Sequence, residues 1–152
     1  MAEFIYDPVQ LTALNTPALL NDSIPCTKGY VLHRSGSGII TLRGIVNNPY
    51  ACFARYQVTF NGNIAVPTGG TVGAIAVALT IDGEPIRTSR AIVTPAAVEE
   101  YFNVTSTAII TVPRGCCVTV SVDPVAAVDD ATVTPAPYIN LQNVNVDVTR
   151  IA

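Results

Sequence analysis

Apolar and polar residues alternate along most of this chain, most regularly in residues 102–122, FNVTSTAIITVPRGCCVTVSV. In the first arm Val104, Ala108, Ile110 and Val112 fall on one face, and Thr105, Thr107 and Thr111 on the other. In the second arm Val118, Val120 and Val122 alternate with Cys117, Thr119 and Ser121. A period of two belongs to half-buried antiparallel strands, and β-branched residues favour extended backbone. The pattern predicts a hairpin turning at Pro113-Arg114-Gly115.

The same period recurs on both sides of it. Cys52, Ala54, Tyr56, Val58 and Phe60 share one face, with Phe53, Arg55, Gln57, Thr59 and Asn61 opposite, so Arg55 and Gln57 look outward. Segments 30–34 and 39–46 flank Ser35-Gly36-Ser37-Gly38, a hairpin turn whose glycines can take positive φ. In VGAIAVALTI, Ile75, Val77, Leu79 and Ile81 alternate with Ala74, Ala76 and Ala78. Both faces are apolar, which predicts a strand covered on both sides, the alanines forming a subunit contact. Asp82-Gly83-Glu84-Pro85 turns the chain into 86–93, PAAVEEY (95–101) reads as a strand entry, and 123–137 reads as a long loop. In the last strand, 138–151, the apolar phase changes at Gln142-Asn143, which predicts a bulge. Eight or so strands over residues 26–152 predict an all-β fold, a two-sheet antiparallel jelly-roll sandwich.

Residues 1–25 differ. Pro8, Pro17 and Pro25 interrupt a segment rich in Phe4, Ile5, Tyr6, Leu11, Leu14, Leu19 and Leu20, so one long helix is disfavoured. The segment reads as an extended N-terminal arm that needs a surface to lie on. That surface is either a partner or the chain's own domain, as for an ordinary first strand.

Composition changes the picture of the surface. Only 12% of the 152 residues are charged, about half the usual share, while 49% are apolar. Such a deficit fits surface buried in an oligomer; a core dense in Ala and Val is the alternative. The net charge of −3, with arginines scattered singly, gives no site for a nucleic-acid backbone. No apolar run approaches the roughly 18 residues that cross a membrane, and the first residues lack the basic-then-apolar pattern of a secretory signal. The expectation is therefore synthesis and folding in a cytoplasm.

Candidate chemistry is sparse. Cys26, Cys52, Cys116 and Cys117 contain no CxxC spacing, His33 is the single histidine, and the thiols read as buried small hydrophobes rather than zinc ligands. No nucleophile, base and orienting group can be assembled from one histidine, and Ser35-Gly36-Ser37-Gly38 has no following helix to make a nucleophile elbow. Glu99-Glu100 and Asp129-Asp130 read as solvated pairs rather than glycosidase acids. Asp123, Asp129 and Asp130 share one predicted loop but lack a calcium-loop glycine pattern. Neither catalytic residue, metal nor cofactor is expected. Asn21-Asp22-Ser23 and Asn103-Val104-Thr105 match the glycosylation acceptor pattern, idle without secretion. Tyr50, Phe53, Tyr101 and Tyr138 are candidate exposed aromatics for a sugar-binding surface, or fillers of a seam.

The order of elements carries a resemblance. Val112-Pro113-Arg114-Gly115, the valine-rich strand 117–122, a loop and a final strand closing on Val148-Thr149-Arg150 resemble the trimeric jelly-roll heads related to tumour necrosis factor and the complement globular domains. More closely, they resemble the C-terminal heads of bacterial collagen-like surface proteins, although no Gly-x-y tract precedes them here. Stalkless jelly rolls of this look resemble bacteriophage auxiliary capsid proteins, the head-fibre or decoration proteins. The resemblance implies a non-enzymatic structural virion protein on the capsid surface. It implies a homotrimer whose arm, through Phe4, Ile5, Tyr6 and Leu11, anchors to the major capsid protein, with Ala74, Ala76 and Ala78 at the subunit interface. The second reading is a receptor- or glycan-binding head of a phage fibre or bacterial surface protein.

Overall fold

Two long strands, β6 (Phe53–Ala65) and β10 (Phe102–Pro113), pair antiparallel over twelve residues, from Phe102 opposite Ile64 to Pro113 opposite Phe53. In the computed structural model, which describes residues 2–24, 30–45, 48–130, 132 and 134–152, this pair is one edge of a six-stranded sheet. Sheet I continues through β12 (Tyr138–Arg150), β1 (Ala2–Tyr6) and β3 (Asp22–Ile24), with β2 (Gln10–Ala13) also on β12. Sheet II runs β4 (Val31–His33), β5 (Ile40–Arg43), β11 (Cys117–Val125), β7 (Ile75–Ile81) and β8 (Glu84–Pro85), with β9 (Ala91–Val93) also on β7. The sole helical element among the described residues is a 3-10 turn at Arg87–Ser89. The chain is an all-β jelly-roll sandwich.

Period-two patterning explains the core. Tyr56, Val58 and Phe60 of β6, Ile110 and Val112 of β10, and Val146 and Val148 of β12 face Ile40, Leu42, Val77, Leu79 and Val120 of sheet II, all at 1% exposure or less. Each large side chain buried this way stabilises the fold by about 1.5–3 kcal/mol. The phase change in β12 is a bulge between Gln142 and Asn145, with Asn143 at φ 53°. It keeps Leu141 and Val144 both buried.

The predicted hairpin over 102–122 is not a hairpin. Its first arm lies in sheet I and its second in sheet II, so Pro113-Arg114-Gly115 is an arch across the sandwich. Arg114 N donates to Cys52 O (3.0 Å) beside sheet I, and Gly115 N to Ile45 O (3.1 Å) beside sheet II. A Cβ on Gly44 would stand 2.2 Å from Pro113 O, so the arch seats only against a glycine. Alternation fixes which side chains are buried but leaves open which strand is the edge partner. By contrast, β4 and β5 do form the hairpin expected around Ser35-Gly36-Ser37-Gly38.

The N-terminal segment is part of the sandwich rather than an extended arm. β1 pairs with β12 from Ala2 opposite Val148 to Tyr6 opposite Val144. Phe4 is 2% exposed in the core. Beyond β2, Asn15 N donates to Pro124 O (2.8 Å) and Ala18 N to Val122 O (2.9 Å), completing the edge of β11 where β5 has ended. Gln10 locks this crossing: its Oε1 accepts from Leu19 N (2.9 Å) and its Nε2 donates to Leu19 O (3.2 Å). An apolar strand lowers its free energy most against the nearest unpaired apolar face, and here that face is its own domain.

Candidate binding surfaces

On the solvent face of sheet I, strands β6 and β10 carry Gln57, Thr59, Asn61 and Asn63 beside Asn103, Thr105, Thr107 and Ile109. These short polar side chains are tied across the strands, Thr59 to Thr107 (3.2 Å), Thr105 to Asn61 (3.1 Å) and Asn103 to Asn63 (3.2 Å). The ladder is therefore cross-linked between its two strands, and none of its eight residues is ionisable. Ile109 stands on it at 63% exposure. Below it, Arg55 lies over the Phe53 ring, 4.5 Å from its centroid. On the next strand Asp147 lies directly beside Thr59 of the ladder, and Glu3 sits opposite Asp147. Burial, and then the Glu3 charge, push the Asp147 carboxyl above its ordinary range, and Asn145 Nδ2 holds Glu3 at 2.7 Å.

The alanine strand does not supply a second such face. Ala74 is exposed before β7, whereas Ala76 and Ala78 are 0% and 1% exposed, packed with Val125 and Ala127 of the same chain. Over Ala78 lies a polar hollow whose rim is closed by Asp129, which pairs with Arg87 (3.0 Å) and Arg90 (3.2 Å). Beside it Thr80, Ser121 and Asp123 form a buried chain of hydrogen bonds, 2.6 and 2.7 Å. Asp123 belongs to β11 rather than to the loop with Asp129 and Asp130, so the three acids do not converge, and no metal-ligating cluster occurs among the described residues.

Of the proposed anchor residues, Phe4 is buried, Tyr6 packs against the core, and Ile5 and Leu11 are exposed at 36% and 60%. Cys52, Cys116 and Cys117 are free and exposed, contrary to the expectation of buried thiols, because they flank or occupy the arch at its solvent end; Cys26 lies outside the described residues. The His33 ring packs against Phe4, centroids 4.8 Å apart and tilted by 51°, and its Nε2 donates to Ser37 O at 2.7 Å. That makes it a packing residue of the β4–β5 hairpin. Tyr50, Phe53 and Tyr138 are exposed, at 92%, 39% and 48%. Asn21 and Asn103 are also exposed.

Sequence gave no sign of the role of Glu99. It sits in a turn with φ 57°, and its Oε1 accepts from Thr68 N, Thr68 Oγ1 and Asn140 Nδ2, each at 3.0 Å. Its Oε2 accepts from the Tyr101 hydroxyl at 3.2 Å. These donors, Thr68 foremost, hold the carboxyl below its ordinary range, while Tyr101 is raised by burial and by the Glu99 charge. Neighbouring Glu100 caps Ala96 N and Ala97 N, both at 3.1 Å. The pair expected to be merely solvated thus fastens residues 66–70 and 95–101 to β12.

This architecture defines a sandwich of the class found in tumour necrosis factor and the complement globular domains. The globular domain of zebrafish complement 1qA protein matches it over 99% of this chain and 97% of that one, with a TM-score of 0.61 at 12% identity. A looser match is the sugar-binding EclA C-terminal domain, with TM-score 0.36 and 16% identity over 82% of this chain and 86% of that one. No family model and no curated protein matches the sequence. At 12% identity the likeness to the complement domain establishes the fold alone.

Proposed function

We propose that this chain is a non-enzymatic structural head that assembles as a homotrimer and decorates a bacteriophage capsid. The observation that carries the reading is the face of β6 and β10, where Ile109 stands at 63% exposure on a cross-linked ladder whose eight residues include no ionisable group. Interface cores are depleted in charge, and an exposed apolar residue on an uncharged, pre-ordered surface is one that association buries. This reading takes sheet I as the trimer seam in place of Ala74, Ala76 and Ala78, since Ala76 and Ala78 are covered by the chain itself. The capsid setting rests on the resemblance of the closing strands to auxiliary capsid heads; the exposed Ile5 and Leu11 remain available to the major capsid protein.

Light scattering after size exclusion tests the seam: three chain masses for the native protein, and one for Ile109→Lys with its fold retained. A monomeric native protein overturns it. A major-capsid or portal gene beside the coding sequence supports the capsid setting, and a neighbourhood of cell-surface genes counts against it.

A receptor- or glycan-binding head is favoured by one feature, the exposed rings of Tyr50, Phe53 and Tyr138. Saturable binding of the isolated head on a glycan panel would establish it, and a clean negative would end it.

A further inference from the structure

Where residues 66–74, 126–128 and 134–137 leave the two sheets, they enclose a cleft of about 750 Å³ at one end of the sandwich. That lies within the roughly 300–1,000 Å³ of small-molecule sites. Val66 and Val72 line one wall, Val128 and Ala136 the other, with Leu11 and Tyr138 also in the lining. Four of these six, Leu11, Val72, Val128 and Tyr138, are 44–60% exposed, an apolar rim around a concavity. Exposed apolar surface gathered around a hollow marks a binding groove.

The wall is held in advance. Thr68, in the lining, is fixed through its backbone N and hydroxyl by Glu99, which Tyr101 and Asn140 hold in turn. Glu99 keeps a left-handed backbone that a glycine would adopt more readily. Such conformations persist where surrounding contacts over-determine them, and they concentrate at ligand clamps. At Gly69 and Gly73 a Cβ would meet nothing within 4 Å, so these positions leave space open along the same wall.

The lining also specifies the ligand. Among the described residues it holds no Asp, Glu, Lys, Arg or His; their polar side chains there are the hydroxyls of Thr68, Thr71, Thr134 and Tyr138. An ion would lose its hydration there without a counter-charge, and a free hexose would leave most of its hydroxyls unpaired. We propose that the cleft binds an uncharged, largely apolar small molecule that lies against the Tyr138 ring and the valine walls. This site is separate from the sheet I seam and stands whether or not the chain trimerises.

The test is a fluorescence titration of the full chain with N-phenyl-1-naphthylamine, an uncharged apolar probe. The expected result is saturable, blue-shifted emission at one site per chain, displaced by decan-1-ol and not by free hexoses. Val72→Glu puts a carboxylate on the wall and Ala74→Trp fills the space; each should weaken binding at least tenfold, leaving the melting temperature and the oligomer mass unchanged. Both positions are exposed, and either variant alone carries the test if the other misfolds. Ile109→Lys should bind the probe as the native protein does. A non-saturable signal, unchanged affinity in the wall variants, loss in Ile109→Lys, or displacement by hexoses would overturn the proposal.

Discussion

Asp123 is a carboxyl group buried in β11, hydrogen-bonded by Ser121 at 2.7 Å. Burial raises its pKa above the ordinary carboxyl value, and the Ser121 hydroxyl offsets only part of this. The folded state therefore holds the proton more tightly than the unfolded chain, so stability falls as pH rises through the interval between the two pKa values and the full cost is present above the folded pKa. Asp123→Asn is expected to raise the melting temperature at pH 7, and its advantage to shrink as the pH is lowered toward the unfolded carboxyl range; an unchanged difference across that interval would show that the charge is not the cause. The thiols give a second measurement at this scale. Cys52, Cys116 and Cys117 are exposed, so a thiol-reactive dye is expected to label all three in the folded protein within minutes. Their exposure was hidden in the sequence because alternation predicts a face only inside a strand. Cys52 and Cys116 lie just outside β6 and β11, where the arch turns the chain to solvent.

Among the elements, β1 and the arch carry the most consequence. If Ala2–Tyr6 were a detachable arm, trimming its aromatic ring would leave stability unchanged. Because Phe4 is 2% exposed in the core, Phe4→Ala is expected to cost about 3–5 kcal/mol in denaturant unfolding. Gly44→Ala would press a methyl group into the Pro113 carbonyl, and an overpacking cost of about 1–3 kcal/mol is expected in the same assay. A neutral result would mean that the arch can shift away. The strands themselves were legible: β6, β7, β10, β11 and the bulge of β12 all follow from the spacing of apolar residues. Their partners were not, since Val112 and Val118 have the same pattern whether they meet in one sheet or face each other across two.

At the scale of the whole molecule, the shortage of charge has two causes that composition alone cannot separate. Part of it is a sandwich dense in Val and Ala, including Ala76 and Ala78, which sequence placed at a subunit contact and which the chain itself covers. Another part is the uncharged ladder of sheet I. If that ladder is a seam, association stabilises the fold by mass action, so the melting temperature should rise with protein concentration, and Ile109→Lys should remove the dependence. A melting temperature independent of concentration in the native protein would count against the seam. By itself the sequence determined the fold class, the faces of the long strands, the bulge and the β4–β5 hairpin, because side-chain alternation is a local property of extended backbone. Only the tertiary structure decided that residues 102–122 arch between sheets, that the N-terminal segment completes them, and that Glu99 clamps the wall of a cleft. Each of these rests on a contact between residues far apart in the chain, and no local spacing records which distant group will be there to accept it.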